Sequence, residues 1–388
     1  ADENSENGFI VEVDLEYPEE LHDLHNDYPL APERVAVGDD MLSNYAKSLK
    51  NSMNMKGAIV EKLVPNLNSK KNYVIHYRNL QYYLKKGMVI TKWHSILRFK
   101  QSKWLEPYIM FNTEKRKQAK NAFEKDFYKL MNNAPFGKTM ENVRNRVDIR
   151  LVNEKKFVKL NSKPTYESCE VFDSDLIGVL MKKTKTILDK PIYAGFAILE
   201  LSKLHMYNFH YEFIKEKYGD RAKLLMTDTD SLTYHIETED LYKDMNENKE
   251  LFDFSDYKPD HFCYDTTNKK VLGKFKDETN GVPISEFVGL RSKMYSMKLS
   301  NEKEKMTGKG IKRQALINKI HHSDYKRCLF GTERQDKQQL ISFNLIRSSK
   351  HQLYTYSLNK VGLCNYDDKR YLLEDGVSSY AYGHYKTI

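Results

Sequence analysis

The chain has 388 residues, of which 30% are charged and 40% hydrophobic, and its formal net charge is +9. With 17 glycines, 10 prolines and no run of about 18 apolar residues, it does not fit the collagen-like, low-complexity or membrane-spanning classes. Its four cysteines form no C-x-x-C pair, which argues against a zinc knuckle or a disulfide framework and favours a reducing, intracellular compartment.

Charged residues are unevenly distributed. Residues 1–40 contain thirteen acids and one base, whereas residues 100–160 contain fifteen bases and seven acids. Two solvated faces would explain this distribution. A metal-binding acidic region beside a phosphate-binding basic element would explain it as well.

Residues 8–17 alternate between apolar and polar side chains, which predicts a β-strand. Its polar face carries Glu12 and Asp14, so two carboxylates share that face. Further along, the tryptophans Trp93 and Trp104 predict a small separate core.

An amphipathic helix is predicted to begin at Asn112 or Thr113. Apolar residues recur at helical spacing on one side of it. The other side carries a stripe of cations and amides: Lys117, Asn121, Lys125, Lys129 and Asn133.

Short strands or loop are predicted for residues 143–190, followed by a helix that runs from Pro191 to Gly219. Two β-rich runs come next, joined by the turn Asp228-Thr229-Asp230. A pair of strands is predicted in 271–299 and a lysine-rich helix in 305–330, whereas the tyrosine-rich tail shows no pattern that places it.

The turn Asp228-Thr229-Asp230 is the first candidate site. It brings two carboxylates to one edge of a sheet, and Mg²⁺ prefers such hard oxygen ligands, with water and phosphates completing its shell. With a third carboxylate, two ions could activate a hydroxyl and stabilise a leaving pyrophosphate. Acidic turns are also common in solvated loops, so this turn alone does not decide the function.

Motifs in a fixed order along the chain resemble those of family B DNA polymerases. DTDS at 228–231 resembles their metal-binding hairpin, KLMNNAPFG at 129–137 their fingers motif, and GFIVEVDLEYP at 8–18 their first palm strand. Lys293-Met294-Tyr295 matches the Lys-x-Tyr motif that grips the primer strand, and KGIK at 309–312 looks like the start of the thumb.

Within that family the chain is similar to the protein-primed polymerases of small bacteriophages, linear plasmids and self-synthesising mobile elements. The spacing of Lys117, Lys125 and Lys129 matches three lysines that those enzymes direct at the incoming triphosphate. The distance from Lys129 to Asp230 leaves room for an insertion like the one that encircles DNA in that subfamily.

The resemblance implies an α+β right-hand polymerase fold with an antiparallel palm sheet, helical fingers and a thumb. The implied division is 1–44 first palm strand, 45–101 an insertion that docks a priming protein, 102–142 fingers helix, 143–190 a second insertion near the DNA, 191–300 palm with the DTDS hairpin, and 301–388 thumb.

The resemblance also implies residue roles. Asp230, Asp228 and a carboxylate of the first strand would hold two Mg²⁺ ions, with Mn²⁺ as a substitute. The implied nucleotide-binding residues are Lys117, Lys125, Lys129, Asn133, Phe136 and Tyr17. The implied DNA-binding residues are Lys293 and Tyr295, which would contact primer phosphates, and Lys309 and Lys312 at the start of the thumb. For Tyr17, whose ring would lie under the sugar, a position in the core is the alternative.

The carboxylate of the first strand is left open between two residues. Counting back five residues from Tyr17 gives Glu12, where the family has aspartate, whereas Asp14 is the better chemical match. Asp23 stands five residues before a second Tyr-Pro pair but lacks a preceding β-run, and ranks last.

The sequence therefore predicts template-directed DNA synthesis from deoxynucleoside triphosphates on a primed template, with a priming protein as a further partner and no membrane. Phe136 replaces the usual tyrosine, and Pro135 is predicted to kink the fingers helix. The alternative is a catalytically degenerate palm domain that binds DNA or a protein partner, which Glu12 and Pro135 favour.

Overall fold

The computed structural model describes residues 5–55, 60–349 and 352–387, which combine helices with antiparallel sheets. The chain divides into two compact units. Unit 1 comprises residues 1–103, 200–343 and 359–388, and unit 2 comprises residues 104–199 and 344–358.

The first half of the chain contains these elements: β1 (Asn7–Glu16), α1 (His22–His25), β2 (Glu33–Ala36), α2 (Asn44–Ser52), β3 (Glu61–Val64), β4 (Lys70–His76), α3 (Tyr77–Lys85), β5 (Val89–Lys100), α4 (Glu106–Gln118), α5 (Ala122–Thr139), β6 (Asp148–Val152), α6 (Glu154–Asn161), β7 (Tyr166–Asp173), β8 (Leu176–Met181) and α7 (Ile192–Asn208).

A π-helical turn (Phe209–Ile214) continues α7. The later elements are α8 (Lys215–Tyr218), β9 (Ala222–Thr227), β10 (Leu232–Ile236), α9 (Leu241–Glu247), β11 (Ile284–Arg291), β12 (Met294–Leu299), β13 (Glu304–Gly308), α10 (Arg313–Lys319), α11 (His322–Phe330), α12 (Arg334–Lys337), β14 (Gln338–Ser349), β15 (Gln352–Cys364), β16 (Tyr371–Leu372) and β17 (Ser379–Tyr380).

Strand β1 is the centre of a sheet ordered β4-β1-β5. Val11, Val13 and Leu15 are buried in the core of unit 1, which confirms the predicted strand and its apolar face. Residues 45–101, predicted as an insertion, supply both neighbours of β1 in its sheet. Their role as an insertion stays a prediction.

A tyrosine-rich core holds the loop at residues 28–32, which forms neither helix nor strand. Three tyrosine hydroxyls donate hydrogen bonds to carbonyls of this loop: Tyr211 to Tyr28 (2.6 Å), Tyr207 to Pro29 (3.0 Å) and Tyr73 to Pro32 (3.1 Å). Buried backbone groups destabilise a fold unless they are paired, so these hydroxyls stabilise the loop.

The tyrosine-rich tail, which the sequence could not place, packs against the segment after β1. The Arg370 guanidinium donates to the carbonyl and side-chain oxygens of Asn26 (3.0 and 3.2 Å). The Tyr385 hydroxyl and the Lys386 ammonium both donate to the Asp23 carboxylate (2.8 and 2.7 Å). Asp23, the lowest-ranked metal candidate, therefore holds the tail in place.

Unit 2 differs from the predicted single helix between 112 and 133. Two helices form instead, because the Asn121 side chain caps α5 by accepting from the Glu124 amide (2.9 Å). Asn112 and Thr113, the predicted caps, lie inside α4. The apolar side of α5 is not buried, and the Phe123 side chain is 79% exposed.

Other predictions were right in type and wrong in extent. Residues 143–190 form the sheet β6-β8-β7 with its own small core, to which the unpredicted helix α6 contributes Leu160. The two strands predicted in 271–299 begin only at Ile284, and β13 occupies the start of the helix predicted in 305–330.

The prediction of a small core around the tryptophans was wrong, because the Trp93 and Trp104 side chains are 53% and 66% exposed.

The helix predicted from Pro191 to Gly219 is confirmed, with its π-helical turn near the end. Gly219 has φ +54°, a left-handed conformation that favours glycine at the end of a helix. In the described ranges of the chain, no helix combines the length and apolar character required to cross a bilayer.

The loop at residues 28–32 yields the first prediction. We expect Tyr211→Phe to lower the free energy of unfolding by about 0.5–1.5 kcal/mol, because the hydrogen bond to the carbonyl of the half-buried Tyr28 is lost. Chemical denaturation followed by fluorescence measures this. Tyr264→Phe, at an exposed tyrosine, is the control, and equal unfolding midpoints for the two variants would contradict the role of the hydroxyl.

Candidate active site

The predicted hairpin with two aspartates is confirmed as β9 and β10, joined by residues 228–231. The Asp228 amide donates to the Ser231 carbonyl (3.0 Å), and the Asp230 amide donates to the Asp228 carbonyl (2.7 Å). Thr229 between them has φ +61°, which is rare for a β-branched residue. Strained backbone of this kind clusters at functional sites.

A second motif meets the hairpin. The Lys293 ammonium lies 3.1 Å from Asp228 Oδ1, in an ion pair between the turn of β9–β10 and the turn of β11–β12. Lys293 also has a left-handed backbone, with φ +59°. Burial, and next the charge of Asp228, raise the pKa of Tyr295, which follows on β12. The DTDS and Lys-x-Tyr motifs are therefore neighbours in the fold.

The register of β12 and β13 brings the remaining predicted DNA-binding residues to the same place. Met294 pairs with Gly308, so Lys293 and Lys309 are the next residues beyond this end of the ladder. Lys309 and Lys312 are exposed, and Lys312 precedes α10 directly. Lys293, which pairs with Asp228, and Lys309 thus lie at the same end of this sheet.

Asp14 on β1 is buried and has three donors of its own. The Asn72 amide and the His94 Nε2 both lie 2.8 Å from Asp14 Oδ1, and the Lys71 ammonium lies 3.2 Å from Oδ2. These hydrogen bonds, the one from Asn72 first, hold the pKa of Asp14 well below its usual range. Neither His94 nor Lys71 was predicted, because no local pattern links either residue to β1.

Glu12 has neutral partners instead. Its carboxylate accepts from the Asn72 side-chain amide (2.9 Å) and from the Ser95 hydroxyl (2.8 Å), and these two bonds lower its pKa. Bulges in the pairing of β1 with β5 flank this region, between Glu12 and Val13 and again after Asp14. Glu12 and Asp14 therefore lie at an irregular part of the sheet, where side chains are re-aimed.

The carboxylates are not assembled into one centre. Within residues 5–55, 60–349 and 352–387, no three His, Cys, Asp or Glu side chains form a group that could hold a metal ion. Asp228 and Asp230 still fit Mg²⁺ chemically, since Mg²⁺ is commonly bound by one or two carboxylates together with water and substrate phosphates. A third ligand from β1 stays a prediction.

Tyr17 lies in the core, which is the alternative position that the sequence left open. Its side chain is 4% exposed, and its hydroxyl lies 2.8 Å from His25 Nδ1 and accepts from the Leu30 amide (3.2 Å). Burial raises the pKa of Tyr17. An enclosed ring cannot contact a nucleotide in this conformation, so the geometry gives Tyr17 a role in the core and no support to its predicted contact with the sugar.

In unit 2, the predicted nucleotide-binding residues are divided between two helices. Lys117 lies in the last turn of α4, whereas Lys125, Lys129 and Asn133 recur every four residues on α5 and are exposed. Phe136 is half-buried further along α5. The predicted cationic stripe is thus present on α5 without its first lysine.

Pro135 does not end α5, which continues to Thr139. A proline removes the amide that would pair with the carbonyl four residues earlier, here that of Met131. The Tyr108 hydroxyl of α4 donates to that carbonyl (3.2 Å). A side chain of the neighbouring helix therefore replaces the hydrogen bond that Pro135 removes.

Comparison with known proteins finds a likeness of fold. No protein-family model and no curated protein sequence matches the chain. Among solved structures, the chain is similar to Phi29 DNA polymerase complexed with primer-template DNA and incoming nucleotide substrates, with a TM-score of 0.50 and 14% identity over 92% of this chain. The post-translocation binary complex of Phi29 DNA polymerase with primer-template DNA matches with a TM-score of 0.49 and 13% identity over 93% of this chain.

The chain has a fold similar to part of a DNA polymerase. It spans about half of the solved polymerase, 50% of that chain. The likeness supports the predicted polymerase-like fold at that level. The division into palm, fingers and thumb stays a prediction.

The contact between Tyr108 and Met131 yields the second prediction. We expect Tyr108→Phe to lower the stability by about 0.5–1.5 kcal/mol, because one net hydrogen bond is lost. In a Pro135→Ala background, the restored amide of residue 135 can donate to the Met131 carbonyl in place of the Tyr108 hydroxyl. The loss of stability caused by Tyr108→Phe should then fall close to zero. Thermal unfolding of the four proteins of this double-mutant cycle measures both effects. Equal costs in the two backgrounds would contradict the compensation.

Proposed function

We propose that the chain is a polymerase domain that adds deoxynucleotides to a primer hydroxyl on a DNA template, within the protein-primed replication of a virus or mobile element. The observation that carries the proposal is the ion pair of Lys293 with Asp228. It joins a motif expected to bind metal to a motif expected to bind the primer strand, and chance resemblance of either motif alone would not bring the two together.

In this proposal Asp228 and Asp230 hold Mg²⁺, with Mn²⁺ as a substitute. The metal would activate the primer hydroxyl and stabilise the leaving pyrophosphate. Lys293, whose ion pair with Asp228 is largely exposed, would contact a primer phosphate together with Lys309 at the same end of the sheet. Tyr295, Lys312 and the neighbouring backbone complete this primer-binding surface.

The exposed face of α5 would bind the incoming nucleotide. Lys125 and Lys129 lie one turn apart on it and would neutralise charge on the triphosphate, with Lys117 of α4 as a third cation. Asn133 and Phe136 follow on α5, and the Phe136 ring would stack on the nascent base pair. The helices α4 and α5 are thus the proposed fingers.

The other proposed parts follow from the same division. The palm would comprise β1 with its sheet and the segment 191–300, and residues 301–388 would form the thumb. Residues 143–190, which have their own sheet and core, would lie near the DNA. A priming protein would dock on residues 45–101, where the outer strand β5 is largely exposed.

The rival function is a catalytically degenerate palm that binds DNA or a protein partner. A specific observation favours it: Asp14 and Glu12 are already bonded to donors of their own sheet. A metal ion would have to displace the Lys71 ammonium from Asp14, whereas at Glu12 it would meet only the neutral donors Asn72 and Ser95.

Asp230→Asn tests the proposal against its rival. We expect this change to reduce nucleotide addition in a primer-extension assay by more than about a hundredfold, because a metal ligand is lost. DNA binding, measured by fluorescence anisotropy, should change little. Asp260→Asn, at an exposed carboxylate of unit 1, is the matched control and should extend primers like the wild type. Retention of a tenth of the activity by Asp230→Asn would reject the assignment.

Glu12→Gln and Asp14→Asn together identify the third carboxylate. We expect the deeper loss of turnover from Glu12→Gln, since a cation at Glu12 displaces no ammonium, and we expect Asp14→Asn to act mainly on stability because Asp14 is buried among its donors. Primer extension at several Mg²⁺ concentrations and thermal unfolding separate the two effects. Equal mild losses of activity would reject both ligands and favour the degenerate domain.

A further inference from the structure

The hairpin that carries Asp228 and Asp230 has no neighbouring strand to support it. Among the described residues, β9 and β10 form a sheet of only two strands. An isolated two-stranded hairpin is marginally stable in water, so the position of its turn depends on what packs against its side. The hairpin packs against the helical segment that precedes it, in a cluster of Ile214, Tyr218, Ala222, Phe209, Phe213, Tyr234 and Ile236.

Two polar contacts join the hairpin to the preceding helical segment. The Lys215 ammonium donates to the Ala222 carbonyl at the start of β9 (2.8 Å), and the second contact reaches β10. His210 Nδ1 lies 2.9 Å from the hydroxyl of Tyr234, which belongs to β10. The two rings are close to parallel, with an angle of 13° and centroids 5.8 Å apart. Hydrophobic packing is non-directional, whereas a hydrogen bond between two stiff rings defines a direction and a distance.

The π-helical turn puts His210 where it can make this contact. A π-helical turn adds one residue to the helical repeat and so re-aims the side chains that follow its start, and such turns occur often at functional sites. His210 is the second residue of this turn. Its ring also meets the ring of Tyr28 edge-on at 5.3 Å, so that it links the loop at residues 28–32 with β10.

His210 is fully buried, as His25 and His384 are. It has no exposed surface, and in the described part of the chain its Nε2 has no hydrogen-bond partner. Burial first, and then the Lys215 charge, lower its pKa to about 3, so the ring is neutral at physiological pH. A buried polar atom without a partner destabilises the fold, which indicates that this histidine contributes more than packing.

We propose that His210 is a positioning residue, whose Nδ1 bond to Tyr234 holds the hairpin so that Asp228 and Asp230 are presented together to a divalent cation. This inference rests on the proposed function of the hairpin. It adds to that proposal a residue outside every motif found in the sequence.

Side-chain geometry defines the variants. His210→Phe keeps the ring and removes the hydrogen bond, and Tyr234→Phe removes only the hydroxyl oxygen. In His210→Asn the side-chain oxygen can take the place of Nδ1 and accept from Tyr234. His205→Phe is the control on the same helix, because His205 is exposed and stacks on Phe275 instead of contacting the hairpin.

The primary measurement is hydrogen exchange of the hairpin amides, residues 222–236, in the full chain. We expect exchange to rise about fivefold in His210→Phe and Tyr234→Phe, the effect of one net hydrogen bond. The affinity for Mn²⁺ alone, measured by electron paramagnetic resonance, should fall by a similar factor. His210→Asn should restore both quantities, and His205→Phe should leave them unchanged.

Distinct outcomes would overturn the inference. One is hairpin exchange that rises no more in His210→Phe and Tyr234→Phe than in His205→Phe, and another is an unchanged Mn²⁺ affinity despite faster exchange. If His210→Phe fails to fold, the milder Tyr234→Phe still decides. A wild type that binds Mn²⁺ but does not extend primers would contradict the proposed function and leave the positioning of the hairpin intact, so the two failures can be told apart.

Discussion

Burial of the loop at residues 28–32 is the constraint on which the rest of unit 1 depends. This loop lies in the tyrosine-rich core beside β1, yet its carbonyls have no strand or helix to pair with, and tyrosine hydroxyls from α7, its π-helical turn and β4 take that place. A tyrosine suits this position, since it combines a large apolar ring with one donor at its tip. Three of the 27 tyrosines of the chain thus have a physical role in this loop. The same loop presents Tyr28 to His210, so the packing that buries the loop also supports the hairpin with the two aspartates.

At two acidic positions, a metal ion would have to compete with cations of the protein itself, and the strength of that competition differs between the two. The pair of Asp228 with Lys293 is largely exposed, and exposed ion pairs stabilise proteins by only about 0–1 kcal/mol, so a divalent cation or a primer phosphate can separate it readily. Asp14 is buried and has three donors, which makes its carboxylate much harder to free. In the proposed function, the hairpin is therefore the part of the candidate site that would bind metal most readily, and the contribution of β1 would depend on whether Glu12, with its neutral partners, can turn towards it.

Local patterns in the sequence predicted the elements that local physics determines. The alternation of residues 8–17, the hairpin around Asp228 and the helix that ends at Gly219 are of this kind. The break between α4 and α5 was missed because Asn112 and Asn121 are both good caps, and only packing decides which one is used. At the site, motifs identified Asp228 and Lys293 separately. Their contact, like that of His94 with Asp14, joins distant segments of the chain, which no local pattern encodes.

The compensation at Pro135 bears on the choice between an active and a degenerate domain. A proline inside a fingers helix would favour degeneracy if it broke the helix, but α5 continues past it and Tyr108 donates to the carbonyl that the proline leaves without an amide. Such a matched donor indicates that the helix is adapted to its proline, and Lys125, Lys129 and Asn133 keep their common face up to that point. Glu12 and Pro135 are the two departures from the family pattern that favoured a degenerate domain. Of these, only Glu12 still favours it. Glutamate is one methylene longer than aspartate, and the irregularity of β1 beside Glu12 can change the direction of its side chain. A glutamate at this position is therefore also compatible with binding a metal ion and with catalysis.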